Sequence, residues 1–287
     1  MDFPIQDLPK DKFPRAVLEI PQPPKVLNYR GKLPPSDMKL LAVVGSRKYT
    51  SYGKQVVDYL IQGLRGHNIG IVSGLALGID SLAHQAALDN GIYTLAIPGS
   101  GLSDEIIYPR QHLRLAQRIL AAGGGLLSEF KPDFKATNWS FPQRNRLVCG
   151  IAKATLIIEA NEKSGTLITA RLTADYNREL LVVPGSIFSD NSKGVHQFLK
   201  LGATPVTTPA DILDVLGIEV ISGGLPPSAA ALSPEEARII EILFEPTERD
   251  TLIRKLAMPI STASIILMQM EIAGHIVEEN GVYRKAY

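Results

Sequence analysis

Six short apolar runs, each followed by a glycine-containing turn and an amphipathic stretch, recur between Lys39 and about Gly217. The runs are rich in Val, Ile and Leu, and they are Leu40–Val44, Ile69–Val72, Thr94–Ile97, Leu126–Ser128, Thr155–Ile158 and Leu180–Val183. Their nearly continuous apolarity indicates burial on both faces, which is typical of parallel strands. The stretches between them predict helices at Gly53–Arg65, Ser81–Leu88, Arg110–Ala122, Phe141–Ala152, Thr166–Asn177 and Val195–Leu201. Six such units predict an α/β fold with a Rossmann-like, doubly wound sheet.

The segment before this region is rich in proline. The first 37 residues contain eight of the twenty prolines, at positions 4, 9, 14, 21, 23, 24, 34 and 35. Each proline removes a backbone donor and disfavours helix, so residues 1–37 are predicted to be an extended arm laid on the next domain, residues 38–219. A mobile tail is the alternative interpretation.

The segment after this region predicts a linker and a second domain. Residues 220–232 consist largely of glycine, proline and small residues, which is typical of a linker. A domain at 233–287 begins with Ser233 as N-cap and Pro234 at the first helical position. Three predicted helices and a hairpin with an Asn-Gly turn then follow, at Pro234–Leu243, Asp250–Leu256, Thr262–Ala273, Ile276–Glu279 and Val282–Arg284. This outline is typical of a winged helix.

Composition excludes several classes of protein. The 287 residues include 30 Lys and Arg against 29 Asp and Glu, so any nucleic-acid binding must come from local clusters of basic residues. No uncharged stretch exceeds 15 residues, which is too short for a membrane-spanning helix, and the N-terminus lacks a secretory signal pattern. With one cysteine and five scattered histidines, we expect no disulfide, no metal site and no cofactor. We therefore expect a cytoplasmic protein that does not associate with a membrane.

Turns rich in glycine and serine follow four of the predicted strands. They are Gly45–Arg47, Ser73–Asp80, Pro98–Gly101 and Glu159–Thr166. In an open α/β sheet, ligands bind at the carboxyl ends of the strands, and each turn places backbone donors at a helix N-terminus, which favours anions. Two of the turns also contain Arg47 and Lys163. Together they predict a site for a ligand that contains phosphate.

Two common nucleotide motifs are absent. The first turn, Gly45–Thr50, lacks the G-x-G-x-x-G pattern of dinucleotide binding, and no G-x-x-x-x-G-K-[ST] occurs in the sequence. Hydride transfer and P-loop nucleotide hydrolysis are therefore disfavoured.

A second basic cluster, Phe141–Arg146, contains two arginines on either side of an asparagine and follows Trp139. Guanidinium groups beside the planar rings of Trp139 and Phe141 are the ingredients of single-strand recognition. The alternative is a helix start with solvated arginines. Arg110 adds a further positive charge near the end of the third strand.

Side chains suited to catalysis form no convincing set. His84 lies among small apolar residues and is predicted to be a packed histidine, and Cys149 is predicted to be a buried thiol. Ser164 could be a nucleophile, but it has no evident base. Asp80 and Glu159 could act on a nucleoside, or could equally cap a helix or support other residues.

The C-terminal domain is acidic. From Ser228 to Tyr287, six Lys and Arg stand against nine Asp and Glu, a net charge of −3 that leaves +4 for the rest of the chain. Its third predicted helix, Thr262–Ala273, contains no Lys or Arg. A helix that enters a DNA groove normally brings basic residues to the phosphates, so we favour a protein-contact or structural role for this domain.

Several motifs are specific in combination. They are Val43–Arg47, Ser73–Ala76, Gly78–Asp80 with Ala83-His84, Tyr108-Pro109, Ser128-Glu129, Phe141-Pro142 with Arg144–Arg146, Glu159-Ala160 with Lys163–Thr166, and Val183–Ser186. With these motifs the chain, from about Pro21 to its C-terminus, resembles the DprA/Smf family, the DNA-processing proteins of bacterial natural transformation. The resemblance implies an extended Rossmann-like domain followed by a small winged-helix-like domain. It also implies single-stranded DNA binding without chemistry, dimerisation, and loading of the RecA recombinase.

The chain departs from the family pattern in two places. Many members have a helical domain of the sterile-alpha-motif type in front, where this sequence has the proline-rich arm. The family turn A-R-G-I-D reads Ala76–Asp80 here, with Leu77 in place of the arginine, so one expected positive charge is missing.

We therefore expect a homodimer without enzymatic activity that binds single-stranded DNA and delivers it to RecA in transformation and recombination. The residues expected to contact phosphates are Arg47, Arg110, Arg144, Arg146 and Lys163. The residues expected to offer backbone or hydroxyl donors are Ser46, Gly74, Ser164, Gly165 and Thr166, and Asn145 completes the site. One alternative is a Rossmann-like enzyme or sensor that acts on a nucleotide or nucleoside phosphate. Another is a protein-interaction adaptor that binds neither DNA nor nucleotide.

Overall fold

The computed structural model describes residues 3–219, 233–273, 275–279 and 281–285. The described residues form two compact units, divided between residues 221 and 222, and each unit has its own apolar core. The predicted linker at 220–232 and the hairpin residue Asn280 lie outside the described residues.

The first unit is built on one nine-stranded sheet. Its strands are β1 (Gln6–Leu8), β2 (Leu27–Gly31), β3 (Lys39–Val44), β4 (Ile69–Ser73), β5 (Tyr93–Ala96), β6 (Gly125–Ser128), β7 (Ala154–Ile157), β8 (Glu179–Val182) and β9 (Thr204–Pro205). They lie in the order β1-β2-β6-β5-β4-β3-β7-β8-β9, and all pairs from β6 to β9 are parallel. Each of the six apolar runs forms a strand whose ends lie within one residue of the prediction. The doubly wound parallel sheet is thereby confirmed.

Strand β3 lies at the point where the strand order reverses, because it pairs with β4 on one side and with β7 on the other. Successive side chains of a strand point to opposite faces of the sheet. Accordingly, Leu40 packs into the apolar layer on one face and Leu41 into the layer on the other. Burial of both faces explains why this run is apolar at every position. In such a fold, a ligand site is expected beside the carboxyl end of β3.

Helices cover both faces of the sheet. They are α1 (Arg15–Leu18), α2 (Ser51–Gln62), α3 (Ile79–Asp89), α4 (Leu113–Ala121), α5 (Ser140–Ile151), α6 (Thr166–Asp175), α7 (Asp190–Lys200) and α8 (Pro209–Leu216). The six predicted helices correspond to α2 through α7, except that a short 3₁₀ turn precedes α4. Helix α8 was not predicted. Local signals mark its ends, because the Asp211 carboxylate accepts the N–H of Thr208 at 2.8 Å and Gly217 follows with a φ of +66°.

Two segments of the proline-rich arm extend the sheet. Strand β2 pairs antiparallel with β6, and β1 pairs antiparallel with β2. Residues 25–33 contain no proline, so β2 keeps the backbone donors that pairing requires. Between the two strands, α1 follows Pro14 and buries Val17 in the core.

Within residues 233–285, the described part of the second unit forms three helices and a three-stranded antiparallel sheet. Its elements are α9 (Pro234–Ile242), β10 (Thr247–Glu248), α10 (Arg249–Leu256), α11 (Ile260–Ile272), β11 (Ile276–Glu279) and β12 (Val282–Lys285), with the sheet order β10-β12-β11. Ser233 is the N-cap of α9, as predicted. Its hydroxyl accepts the N–H of Glu236 at 3.2 Å, and its own N–H donates to the Glu236 carboxylate at 2.7 Å.

Across the described ranges, no single helix is long and apolar enough to cross a membrane. Length and composition meet that requirement only for α10 and α11 taken together, and these two helices meet at a bend of 114°.

Candidate functional site

A cavity of about 670 Å³ opens at the carboxyl edge of the sheet. The turns after β3, β4 and β7 and the first turns of α5 supply its walls. Four cations and one carboxylate line it, namely Arg47, Lys48, Arg144, Lys163 and Asp80. A surplus of positive charge in a concave site favours an anionic ligand.

The cavity brings together eight of the eleven residues that the sequence predicted for the site. These are Ser46, Arg47, Arg144, Asn145, Lys163, Ser164, Gly165 and Thr166. Gly74 lines a smaller space that shares Arg47 and Arg144 with the cavity. Arg110 and Arg146 line neither space.

The turn after β3 is held between two neighbouring turns. Ser46 donates its N–H to the carbonyl of Glu159 at 2.8 Å, and the carbonyl of Ser46 accepts the N–H of Ile79 at 3.1 Å. Gly78 has a φ of +85° and lies against this turn, because a Cβ added there would come within 2.2 Å of the Ser46 carbonyl oxygen. Only glycine fits both the φ value and this close approach. The backbone of Arg47 is therefore fixed at the point where the strand order reverses.

The exposed side chain of Arg47 lies over an aromatic ring. Its guanidinium carbon is 5.4 Å from the centroid of the Phe141 ring, and the Tyr108 ring lies 5.5 Å from that of Phe141. The electron-rich face of an aromatic ring attracts a guanidinium without neutralising it. In the part of the chain that the structure describes, no carboxylate forms an ion pair with Arg47. Its charge is thus available to an anion.

The N-terminus of α6 forms another wall of the cavity. The Ser164 hydroxyl accepts the N–H of Thr166 at 3.1 Å and donates to the Thr166 hydroxyl at 2.9 Å, which in turn donates to the carbonyl of Gly45 at 3.1 Å. Both hydroxyls therefore bond within the protein. Gly165 and Lys163 are exposed at this helix end, as are the neighbouring Asn161 and Glu162. The helix dipole adds to the attraction of the Gly165 backbone and the Lys163 ammonium for an anion.

Arg144 forms the floor of the cavity. Its guanidinium donates to the carbonyl oxygens of Gly74 and Ile97, and Nε donates to Asn145 Oδ1 at 3.2 Å. The side chain is buried, and burial lowers its pKa to about 10, so it remains charged at neutral pH. A Cβ added to Gly74 would come within 2.3 Å of the guanidinium, which explains the glycine. Arg144 thus links the residues that follow β4 and β5 and contributes a positive charge to the cavity wall.

Two buried carboxylates cap backbone groups at the edge of the site. Asp80 accepts two backbone N–H groups of the turn after β4, the nearer at 3.0 Å from Gly74. Glu159 accepts the N–H of Thr50 at 2.9 Å and also the Thr50 hydroxyl. Burial raises the pKa of Asp80, while the positive charge of Arg144 opposes that shift. Of the two roles that the sequence left open, these contacts favour capping.

Two of the predicted arginines bond elsewhere in the fold. Arg146 is buried, forms an ion pair with Glu129, and donates to the carbonyl of Gln22 in the N-terminal arm. Arg110 donates to the carbonyl of Asp104. The structure does not bring these two guanidinium groups to the cavity.

The turn after β5 lies beneath α5 and does not line the cavity. The Ser140 hydroxyl donates to the carbonyl of Gly99 at 2.6 Å, and a Cβ added to Gly99 would come within 2.6 Å of the Phe141 ring. Of the four predicted turns, three therefore form the cavity, and this one supports the helix that completes it.

Sequence reasoning missed five residues with polar or aromatic side chains in the cavity wall, namely Lys48, Tyr108, Asn138, Asn161 and Thr169. Lys48 and Asn161 belong to turns that the sequence had singled out, so their position beside Arg47 and Lys163 was the available signal. Tyr108 and Asn138 lie in longer loops, and only the tertiary fold brings them to the cavity.

His84 and Cys149 are packed in the interior, as predicted. His84 is fully buried, with Nδ1 2.7 Å from the Thr94 hydroxyl, and burial lowers its pKa to about 3. Burial raises the pKa of the Cys149 thiol to about 12. Neither residue lines the cavity.

Comparison with known proteins agrees with the resemblance seen in the motifs. The family described as DNA recombination-mediator protein A matches residues 6–217, and the DprA winged helix domain matches residues 224–281. Protein Smf of Escherichia coli (strain K12) is 35% identical over 281 residues, which span 94% of this chain and 74% of that protein.

Two solved structures are similar to about three quarters of this chain. The crystal structure of DNA processing protein A (DprA) from Streptococcus pneumoniae has a TM-score of 0.68 at 36% identity, covering 77% of this chain and 76% of its own. A structure of DNA processing protein A from Helicobacter pylori, solved to describe the single-stranded DNA binding mode of that protein, has a TM-score of 0.66 at 31% identity. It covers 75% of this chain and 96% of its own. This chain therefore belongs to the DNA recombination-mediator protein A family, the DprA/Smf family, and carries the winged helix domain of that family.

Proposed function

We propose that this chain binds single-stranded DNA in the cavity and delivers it to a RecA recombinase. The observation that carries the proposal is the Arg47 guanidinium over the Phe141 ring, at the edge of a cavity lined by four cations. A single strand exposes both phosphates and unpaired base faces, so a cation beside an aromatic ring can contact one of each. A duplex hides its base faces and leaves only its phosphates to be bound.

The proposed phosphate contacts are Arg47, Lys48, Lys163 and the backbone N–H of Gly165. All four residues are exposed and line the cavity. Arg144 adds its charge from the cavity floor, where Nη1 donates to two carbonyl oxygens and Nε donates to Asn145 Oδ1. Arg110 and Arg146 are left out of this set because their guanidinium groups bond within the fold.

The proposal contains no chemical step. The carboxylates of Asp80 and Glu159 already accept backbone hydrogen bonds, and His84 lies in the core rather than in the cavity. An enzyme or sensor acting on a nucleotide phosphate at the same edge would instead turn over or tightly bind free nucleotides. Incubation of the purified protein with a panel of nucleoside phosphates, analysed by chromatography, tests that rival.

The test of the binding proposal is a titration with labelled single-stranded and duplex oligonucleotides of the same sequence at two salt concentrations. Single strands are expected to bind at least about tenfold more tightly, with little dependence on sequence. Equal affinity for the two forms would contradict the proposal.

Delivery to RecA and dimerisation are further parts of the proposal, and membership of a recombination-mediator family supports them. Delivery is tested by RecA ATP hydrolysis on DNA coated with single-strand-binding protein, which the protein is expected to stimulate. The dimer is tested by light scattering, which is expected to give twice the mass of one chain. A monomer in the light-scattering measurement would contradict the proposed dimer. A rate of RecA ATP hydrolysis that the protein does not change would contradict the proposed delivery to RecA.

A further inference from the structure

Trp139, the only tryptophan in the chain, lies on the surface beside the cavity. Its side chain is 58% exposed, although tryptophan is on average a highly buried residue. It makes edge contacts with Phe130 and Phe134, at centroid distances of 5.7 and 5.5 Å, and these two rings stack on each other at 4.5 Å. The indole therefore has a firm aromatic support while more than half of its surface faces solvent.

The turn that holds Trp139 also forms part of the cavity wall. Asn138, directly before Trp139, and Phe141, two positions after it, both line the cavity, and adjacent Cα atoms are about 3.8 Å apart. The Ser140 hydroxyl accepts the N–H of Thr137 at 3.0 Å and donates to the carbonyl of Gly99 at 2.6 Å. These bonds anchor the turn to the turn after β5, so the backbone of Trp139 is held at a fixed place next to the cavity.

The segment between β6 and α5 also carries exposed cations. Lys131 and Lys135 are exposed, with Asp133 between them, and Glu129, the other acidic residue of the segment, forms an ion pair with Arg146. The segment is fixed to the loop after β5, because Gly101 donates its N–H to the carbonyl of Phe134 at 2.8 Å. Positive charge therefore accompanies the exposed ring on the same ordered segment.

We propose that Trp139 is a second base-stacking position, on which a nucleotide stacks after the strand leaves the cavity past Asn138. A cavity of about 670 Å³ has the size of a site for one small molecule. A strand longer than a few nucleotides must therefore continue over the surrounding surface. Trp139 offers a base face there, and Lys131 and Lys135 offer charge to the phosphates. This inference rests on the proposed function, because it extends the path of the same strand.

The experiment uses the tryptophan fluorescence of the full-length protein, excited at a wavelength that tyrosine does not absorb, so that the signal reports on Trp139 alone. The protein is titrated with a thymidine dinucleotide and with an oligothymidylate of about 15 nucleotides, while binding is followed separately by anisotropy of labelled DNA. The longer strand is expected to quench the fluorescence as it binds. The dinucleotide, which fills only the cavity, is expected to bind without quenching.

Substitution provides the second measurement. Trp139→Ala is expected to weaken binding of the longer strand by about tenfold, the loss of one stacked base, and to leave dinucleotide binding unchanged. Trp139→Phe keeps a ring and is expected to retain most of the affinity. Tyr59→Ala removes an exposed ring of α2 that does not line the cavity, and it is expected to bind both ligands normally.

The outcomes separate this inference from the function on which it rests. Binding of the longer strand without quenching, or with normal affinity in Trp139→Ala, would overturn the stacking position while the binding proposal stands. An equal loss of dinucleotide binding in Trp139→Ala would also overturn it, because Trp139 would then support the cavity rather than extend it. If the unaltered protein binds neither ligand, both the inference and the binding proposal fail.

Discussion

Arg144 and Arg146 are two positions apart on α5, and their side chains serve opposite sides of that helix. Arg144 lies under the cavity and donates to Gly74 and Ile97, whereas Arg146 pairs with Glu129. A helix turns by about 100° per residue, so side chains two positions apart point roughly 200° away from each other. One arginine of the pair is thus available to the ligand site, and the other holds part of the fold together.

Arg146→Ala is expected to lower the free energy of unfolding by about 3–5 kcal/mol, because it leaves the Glu129 carboxylate buried without its partner. Only 11% of the Glu129 side chain is exposed, so little of the lost interaction is replaced by solvent already in contact with it. Urea denaturation measures the effect. The double variant Arg146→Met with Glu129→Gln removes both charges and is expected to recover part of the stability. If Arg146→Ala has the same free energy of unfolding as the unaltered protein, the ion pair of Arg146 with Glu129 does not stabilise the fold.

Arg47→Ala is expected to weaken single-stranded DNA binding by about 1–3 kcal/mol, the loss of one charge-assisted contact. The melting temperature is expected to change little, because the side chain is exposed and outside the core. Arg65→Ala removes another exposed arginine, one that does not line the cavity, and serves as the matched control. Normal binding by Arg47→Ala, or an unfolded protein, would remove Arg47 from the site.

Acid is expected to destabilise the first unit through His84. Burial holds the pKa of His84 at about 3 in the folded protein, against 6.5 for an ordinary histidine, with smaller contributions from the charges of His112 and Arg144. Between these two values the unfolded chain binds a proton at this residue and the folded chain does not. Above pH 6.5, His84 therefore does not lower the free energy of unfolding. As the pH drops from 6.5 towards 3, the free energy of unfolding falls by at most about 1.4 kcal/mol per pH unit because of this group.

Urea denaturation across this acidic range checks the His84 prediction. His84→Gln is expected to reduce the pH slope, because it removes the titrating group while leaving a polar side chain near Thr94. If the slope of the variant equals that of the unaltered protein, other groups carry the acid sensitivity.

The C-terminal domain is expected to be dispensable for DNA binding. Residues 228–287 have a net charge of −3, α11 contains no Lys or Arg, and the domain has its own apolar core. A shortened chain that ends near Gly224 is expected to fold and to bind single-stranded DNA within about threefold of the full chain. Its salt slope is also expected to be unchanged, since each lost phosphate contact would lower that slope by about 0.7. A fall of about two units or more would place several phosphate contacts in the acidic domain.

The strands and helices of the first unit could be predicted from the sequence because their signals are local. Burial of β3 on both faces leaves an apolar residue at every position of Leu40–Val44, and this pattern needs no knowledge of the neighbouring strands. The positions of Arg47 and Lys163 in the cavity wall could also be predicted from local signals. Both residues lie in turns at the carboxyl ends of the neighbouring strands β3 and β7, where the strand order reverses and ligands are expected to bind.

Other features depend on partners that are distant in the sequence. Strand β2 belongs to the sheet because it pairs with β6, which lies about a hundred residues later in the sequence. The prolines before and after β2 made this pairing unpredictable from the sequence. The Ser164 hydroxyl bonds to Thr166 at 2.9 Å rather than facing the ligand, which depends on how the α6 turn folds against β3.

The two arginines of α5 show most clearly where sequence reasoning ends. Both were expected to contact phosphates, but side chains two positions apart on a helix point in nearly opposite directions, and the position of the helix on the sheet decides which one lies under the cavity. Arg144 lies there because Gly74 and Ile97 present their carbonyl oxygens to it, and Arg146 faces Glu129 and the N-terminal arm. The apolar pattern of the sequence determined which segments form the sheet and its covering helices, because each buried position of a strand or helix requires an apolar residue. The direction of a charged side chain was decided by the tertiary structure, because its hydrogen-bond partners come from distant segments.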